Sequence, residues 1–167
     1  MDKKTIIFDL DGTIALIDKR LELSKKNRNN KINWEVFFNP ENISLDIPNP
    51  PVVKLLQLFY GDGYKIIILS GRSDRTIHST KKWLKLHDIF YHKLIMRPHK
   101  KLNHIFLNTK QEKIDLRYVP DEVLKKIMFD RFIKVKEVFL VVDDRNKVVQ
   151  MWRKLGLNTF QVNDGNF

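Results

Sequence analysis

A parallel α/β sheet with helices on its faces is the fold class this sequence predicts, on three observations. Apolar runs of strand length alternate with stretches of helical periodicity along most of the chain. Three of those runs end abruptly in charged or hydroxyl residues: Asp9 and Asp11, Ser70 and Arg72, Asp143 and Asp144. Buried strands do not need such endings for stability, whereas open α/β sheets bind ligands beyond the carboxyl ends of their strands. The 167 residues, 43% of them hydrophobic, suffice for one domain with a sizeable core, and no linker, repeat or low-complexity tract divides them.

Thr5 to Phe8 is the first strand, apolar in its last three residues and cut off by Asp9-Leu10-Asp11-Gly12-Thr13. Ile14 to Asn49 shows no regular core element. It carries a basic, asparagine-rich piece, Lys25 to Lys31, which reads as a solvated loop ahead of a phosphate-backbone contact, and Trp34, Phe37 and Phe38 anchor the excursion to the body. Pro48, Pro50 and Pro51 break the chain and set a helix start near Pro51. Val52, Val53, Leu55, Leu56 and Phe59 give that helix one apolar face, and Gly61-Asp62-Gly63 ends it. Tyr64 to Leu69 is the second strand. Arg75 to His87 is a helix with Ile77, Thr80, Trp83 and Leu84 inward, and Lys93 to Met96 is a third strand closed by Arg97-Pro98. His99 to Val119 is expected to be a basic, irregular excursion. The next helix opens at Pro120-Asp121-Glu122, with proline and acids in the first turn as the helix dipole favours, and runs to Phe132. Glu137 to Val142 is the fourth strand, Asn146 to Leu155 a helix stopped by Gly156, and Asn158 to Val162 the fifth strand.

Composition narrows the function. Cysteine is absent, which excludes disulfides, thiolate metal sites and cysteine nucleophiles. No apolar run approaches the roughly 18 residues of a membrane span. The first residues lead straight into a strand without a signal-peptide pattern, so a cytoplasmic protein with no membrane partner is expected. A formal charge of +11 favours a polyanionic partner, nucleic acid first, over the plainer reading of a lysine-rich surface. The five histidines show no metal-ligand spacing and read as surface or packing residues. Trp83 and Trp152 read as core, and Trp34, near basic residues, is the better candidate to stack on a base.

The carboxylates Asp9, Asp11, Asp143 and Asp144 repel one another unless a cation or a proton sits among them. An all-oxygen ligand set calls for a hard ion, and Mg²⁺ with retained waters fits. Asp143 and Asp144 point to opposite sides of their strand, so one ligates and the other supports it. Ser70, Arg72 and Lys125 supply a hydroxyl and positive charge suited to phosphate oxygens. Gly12 permits a sharp turn after the acidic pair, and Thr13 offers a hydroxyl and backbone N–H groups to an anion. Carboxylates, a divalent ion and cations together describe a phosphoryl-transfer site.

Asp-x-Asp-Gly-Thr after a hydrophobic strand resembles the first motif of the haloacid dehalogenase (HAD) superfamily. More narrowly, the chain resembles the 3′-phosphatase domain of bacteriophage polynucleotide kinase-phosphatases. The match covers most of its length: Phe8 to Thr13, Gly63 to Ile66, Ser70-Gly71-Arg72 with Asp74-Arg75-Thr76, Trp83-Leu84 with His87, Met96-Arg97, Asp143-Asp144-Arg145, and Met151 to Gly156 through Phe160-Gln161-Val162. The resemblance implies a HAD-like (Rossmann-like) three-layer fold with a mostly parallel sheet of about five strands, no large cap domain, and one domain over 1–167. It implies Asp9 as the phosphorylated nucleophile and a metal ligand. Asp11 would be the general acid/base, its backbone carbonyl on the metal. Asp144 would be the direct metal ligand of its pair, with Asp143 supporting. Ser70 and Gly71 belong to the phosphate-binding motif that Thr13 complements. Lys125 would hold the phosphoryl group, with Asp121 orienting it, and Arg20 and Arg72 would stabilise the phosphate or the nucleic-acid end.

Two features depart from that family. No Gly-x-x-x-x-Gly-Lys-Ser/Thr occurs, so no kinase activity is expected of this chain. The excursion His99 to Val119 is longer than the family's link, and either grips a different substrate or is a surface loop. The expected function is a Mg²⁺-dependent polynucleotide 3′-phosphatase acting on 3′-phosphate ends of DNA or RNA, in end processing or DNA repair. Two other readings stay open on sequence alone. A small-molecule phosphatase such as a nucleotidase shares every catalytic residue, and a non-catalytic end-binding module has no use for a paired nucleophile and acid.

Overall fold

The computed structural model describes residues 4–25, 31–99, 105–107 and 113–165, with 105–107 and 113 described by their backbone alone. At the centre of the sheet lies β1 (Thr5–Phe8), buried along its whole length. β4 (Lys65–Ser73) and β5 (Lys93–Arg97) extend the sheet on one side, and β8 (Val138–Arg145) and β9 (Thr159–Gly165) on the other, in the order β5-β4-β1-β8-β9. Every pairing is parallel, so the five-stranded parallel sheet is as expected. Parallel neighbours need long crossovers, and helices supply them: α3 (Pro50–Gly61), α4 (Ile77–Leu86), α5 (Asp121–Phe132) and α6 (Asn146–Lys154).

The alternation of side chains along each strand divides the core into two layers. Ile6, Phe8, Ile66, Ile68, Leu140 and Val142 pack with Val52 and Leu56 of α3 and Trp83 and Leu84 of α4. Ile7, Ile67, Leu69 and Val141 pack with Leu124, Met128 and Phe129 of α5 and Val148 and Trp152 of α6. The result is three layers, and among the described residues no insertion has the size of a separate cap domain. No described helix is long and apolar enough to cross a membrane.

The structure corrects two readings of the sequence. Residues 14–49 hold regular elements: β2 (Ala15–Leu16) pairs antiparallel with β3 (Ile47–Pro48), and α1 (Asp18–Lys25), α2 (Trp34–Phe37) and a 3₁₀ turn (Pro40–Leu45) lie between them. Ile14, Ala15, Ile17, Phe37 and Ile43 belong to the core. These elements are too short for periodicity to declare them, and the buried side of α1 carries Arg20 and Ser24, so it has no apolar stripe to read. The excursion His99 to Val119 likewise contains a pair of antiparallel strands, β6 (Ile105–Leu107) and β7 (Lys113–Asp115). Lys100, Lys101 and Lys110, and most of the basic piece from Lys25 to Lys31, lie outside the described residues.

Leu56 faces the sheet from α3 with no exposed surface. Its truncation removes several buried methyl groups and leaves a cavity, so Leu56→Ala is expected to lower the unfolding free energy by about 2–5 kcal/mol, read from urea titrations of the two proteins.

Candidate active site

Strand register brings the site together. Phe8 stands opposite Ile68 on one neighbour and Val142 on the other. Asp9 and the pair Asp143-Asp144 follow directly beyond that level, and Ser70 lies two residues beyond Ile68, so all of them stand at the same end of the sheet. The backbone N–H of Asp9 still donates to Val142 O at 2.9 Å, which fixes where its side chain emerges. The pairing of β4 with β5 shifts register between Ser70 and Ser73, and that of β8 with β9 between Asp143 and Arg145. Such irregularities re-aim side chains at the rims of sheets.

Two charged clusters stand side by side at this edge. In the first, the ammonium of Lys125, reaching up from α5, donates to Asp9 Oδ1 at 2.6 Å and to Asp143 Oδ2 at 2.8 Å. Asp143 also accepts from Trp152 Nε1 at 3.2 Å and from the backbone N–H of Arg145 at 3.2 Å. Asp144 accepts from the Thr13 hydroxyl at 3.0 Å through Oδ1, while its buried Oδ2 has no hydrogen-bond partner among the described residues. Oxygens of Asp9, Asp143 and Asp144 lie within 4.8 Å of one another. Burial pushes the Asp9 carboxyl up, with Asp143 and Asp144 adding to the rise and Lys125 opposing it. Burial also lifts Asp144, to about 6, with Asp143 adding to it. Burial disfavours the Lys125 ammonium, but Asp143 and Asp9 outweigh it and hold the proton firmly in place.

Among the described residues, three carboxylates against one ammonium leave a formal excess of two negative charges, and one carboxylate oxygen is buried without a donor. A small divalent cation with oxygen ligands fits that deficit in both charge and chemistry. Gly12 makes the close approach possible: its φ is +85°, and a Cβ there would collide with the Asp144 carboxylate.

The second cluster is balanced. Asp11 accepts from Arg20 Nη2 at 2.5 Å and from Arg72 Nε at 3.1 Å, with a further short contact from Arg72 Nη2. Asp46 takes the other side of both arginines, from Arg20 Nε at 2.7 Å and Arg72 Nη2 at 2.7 Å. Burial opposes ionisation of Asp11, but Arg72 and Arg20 outweigh it and hold this carboxyl well below the usual carboxylate range. Arg20 also lies over the Phe37 ring, 4.2 Å from its centre.

A third group forms the wall. Asp121, in the first turn of α5, binds Arg97 through one oxygen and Arg145 through the other. Arg97 also donates to the carbonyls of Gly71 at 3.0 Å, Leu116 at 2.8 Å and Val119 at 2.9 Å, tying the segment after β7 to the turn at Gly71. Ser70 is buried, and its Oγ accepts from the backbone N–H of Arg72 at 3.1 Å. Above these residues opens a cavity of about 760 Å³ with Asp9, Asp11, Ser70, Arg72 and Lys125 on its floor and Trp34 and Tyr118 among its walls.

The structure thus gathers Asp9, Asp11, Thr13, Arg20, Ser70, Gly71, Arg72, Asp121, Lys125, Asp143 and Asp144 at one edge of the sheet. Asp121 contacts the arginines of the wall, whereas Lys125 is held by Asp9 and Asp143. Sequence reasoning does not select Asp46, Arg97 or Arg145 as site residues. Arg97 and Arg145 sit directly at strand ends, a signal that could have found them; a lone aspartate between Leu45 and Ile47 gives none.

Residues 3–167 match the family described as the polynucleotide kinase PNKP phosphatase domain. A chain of the Pnkp1/Rnl/Hen1 complex is 32% identical, with a TM-score of 0.72 over 99% of this chain and 47% of its own length. A putative bifunctional polynucleotide kinase/RNA ligase of Autographa californica nuclear polyhedrosis virus is 28% identical over 159 residues, 93% of this chain and 19% of that protein. The chain therefore spans less than half the length of these relatives. A haloacid dehalogenase-like hydrolase from Streptococcus pneumoniae, at 12% identity and a TM-score of 0.59 over 95% of this chain and 83% of its own, shares the fold.

The raised Asp144 carboxyl sets a pH dependence. A carboxyl that binds its proton more tightly in the folded than in the unfolded state makes stability fall as pH rises through that window. Between about pH 4 and 6 the chelator-treated protein is expected to lose on the order of 2–3 kcal/mol from this group. Urea titrations across that range should record a shallower slope for Asp144→Asn. Asp11 acts in the opposite sense: its contribution is present above the usual carboxylate range and is lost as pH falls below it.

Proposed function

Because the chain belongs to the family of polynucleotide kinase PNKP phosphatase domains, we propose that it removes terminal 3′-phosphate monoesters from nucleic acid through an aspartyl phosphate on Asp9, with Mg²⁺ as cofactor. The observation that carries this reading is the Lys125 ammonium 2.6 Å from Asp9 Oδ1 on the floor of the cleft. A nucleophile needs one oxygen oriented and the other directed at phosphorus, and Lys125 provides that orientation from below. The names of the relatives, which speak of polynucleotide kinase, RNA ligase and an RNA repair complex, support end repair as the setting.

Asp9 attacks phosphorus, and the bond to the leaving 3′-oxygen breaks as that oxygen takes from Asp11 a proton that Asp11 has picked up from solvent once the phosphate draws Arg20 and Arg72 away from it. Asp11 then removes a proton from the water that hydrolyses the aspartyl phosphate. Ser70, Arg72 and Lys125 bind the phosphoryl oxygens as charge shifts onto them. The phosphate and Asp11 compete for Arg20 and Arg72, so a bound phosphate loosens the contacts that keep Asp11 ionised. Asp9 and Asp144, with the Asp11 backbone carbonyl, would hold Mg²⁺ and Asp143 would support them from beside Lys125, the ion neutralising charge on the phosphoryl group and on the carboxylates.

Asp9→Asn is expected to lower turnover by at least about a thousandfold with the fold retained by circular dichroism. Substantial steady-state activity in that variant removes the covalent route. Phosphate release from matched 3′- and 5′-phosphorylated oligonucleotides and 3′-mononucleotides tests the substrate. The 3′-phosphorylated oligonucleotide is expected to have the highest kcat/KM, with log affinity falling by about 0.7 per neutralised phosphate against log salt. Equal rates on oligonucleotide and mononucleotide without salt dependence point instead to a nucleotidase.

A further inference from the structure

The cleft is far larger than the phosphate its floor would hold, and its mouth carries an unused aromatic surface. Of the three tryptophans, Trp83 and Trp152 are buried, whereas Trp34 is 54% exposed and lines the same cavity as Asp9. The Trp34 ring stacks on Phe38, with centroids 5.7 Å apart and planes 19° apart, and meets Phe37 edge-on at 5.6 Å.

This platform is held rigidly, and by the residues of the site itself. Asn33 caps α2 through the N–H of Glu35 at 3.1 Å. The carbonyls that follow are all engaged: Glu35 by Arg75 at 3.3 Å, Val36 by Asn42 at 2.8 Å, Phe37 by Arg20 at 3.1 Å and Phe38 by Arg75 at 3.0 Å. Arg20 thus joins the platform to Asp11. Elsewhere on the cavity wall Tyr118 is exposed, with the Arg117 guanidinium 5.1 Å from its ring centre. A flat π face, nearby guanidinium groups and a phosphate-binding floor are together the chemistry that recognises a nucleotide.

Resting on the function proposed above, we propose that Trp34 stacks on the nucleobase next to the scissile 3′-phosphate, so that the mouth of the cleft is a nucleobase subsite. Stacking on an aromatic ring tolerates every base, so the subsite selects for a base without selecting its identity.

The test compares a 3′-phosphorylated hexanucleotide with the same molecule carrying an abasic terminal residue. Loss of one stacked base corresponds to roughly 5- to 150-fold in kcat/KM. Trp34→Ala is expected to lose that factor on the base-bearing hexanucleotide and nothing further on the abasic one, while Trp34→Phe keeps most of the activity. Because Trp34 is the exposed indole, its fluorescence should be quenched by the base-bearing hexanucleotide and not by the abasic one. Equal loss on both substrates, or quenching that ignores the base, overturns the subsite. If the wild-type protein hydrolyses neither substrate yet base-dependent quenching persists, the subsite stands and the 3′-phosphatase reading falls.

Discussion

The ammonium of Lys125, almost wholly buried between Asp9 and Asp143, is the contact on which the rest of the carboxyl edge depends. Without it, only protons or a bound cation would offset the repulsion among the three carboxylates. It is supplied by α5, which lies on the sheet face that Asp9 and Asp143 share through the alternation of β1 and β8. Packing and chemistry are therefore one problem at this edge: the helix that fills the core beneath Ile7 and Val141 also carries the charge the site needs. Removing one member of such a buried pair leaves an uncompensated charge, which is costly.

The neighbouring cluster is built on a different principle. Arg20 and Arg72 meet Asp11 and Asp46 in equal numbers, so this group is neutral while the Lys125 cluster keeps a negative excess. The division leaves cation-binding character on one side of Asp9 and exchangeable guanidinium groups on the other. A phosphate monoester, with a metal on one flank and arginines on the other, suits that division.

The parts legible in the sequence are those with strong local patterning. The apolar runs of β1, β4 and β8 and the acids at their ends are plain, because strand, turn and charge follow one another within a few residues. The roles expected of Arg20 and Asp121 rest on resemblance, since each lies in a segment whose spacing says nothing of its partners. Asp46 is invisible for a deeper reason: its meaning lies wholly in two arginines, each 26 residues away, one on either side. The elements around it are hidden for the same cause, as α1 buries an arginine and a serine where a helix of the core would bury leucines.

The central position of β1 has a consequence for how the protein comes into being. Thr13 and Asp144 are hydrogen-bonded across 131 residues of sequence, and β1 pairs with β8 over a similar span. Contacts of such separation form late, because the loop between them must first be closed. A nascent chain that has emerged only as far as α5 holds Asp9, Ser70 and Lys125 but neither Asp143 nor Asp144. The site is thus completed only by the arrival of β8, and partial products of synthesis or degradation that stop short of it lack the full set of carboxylates.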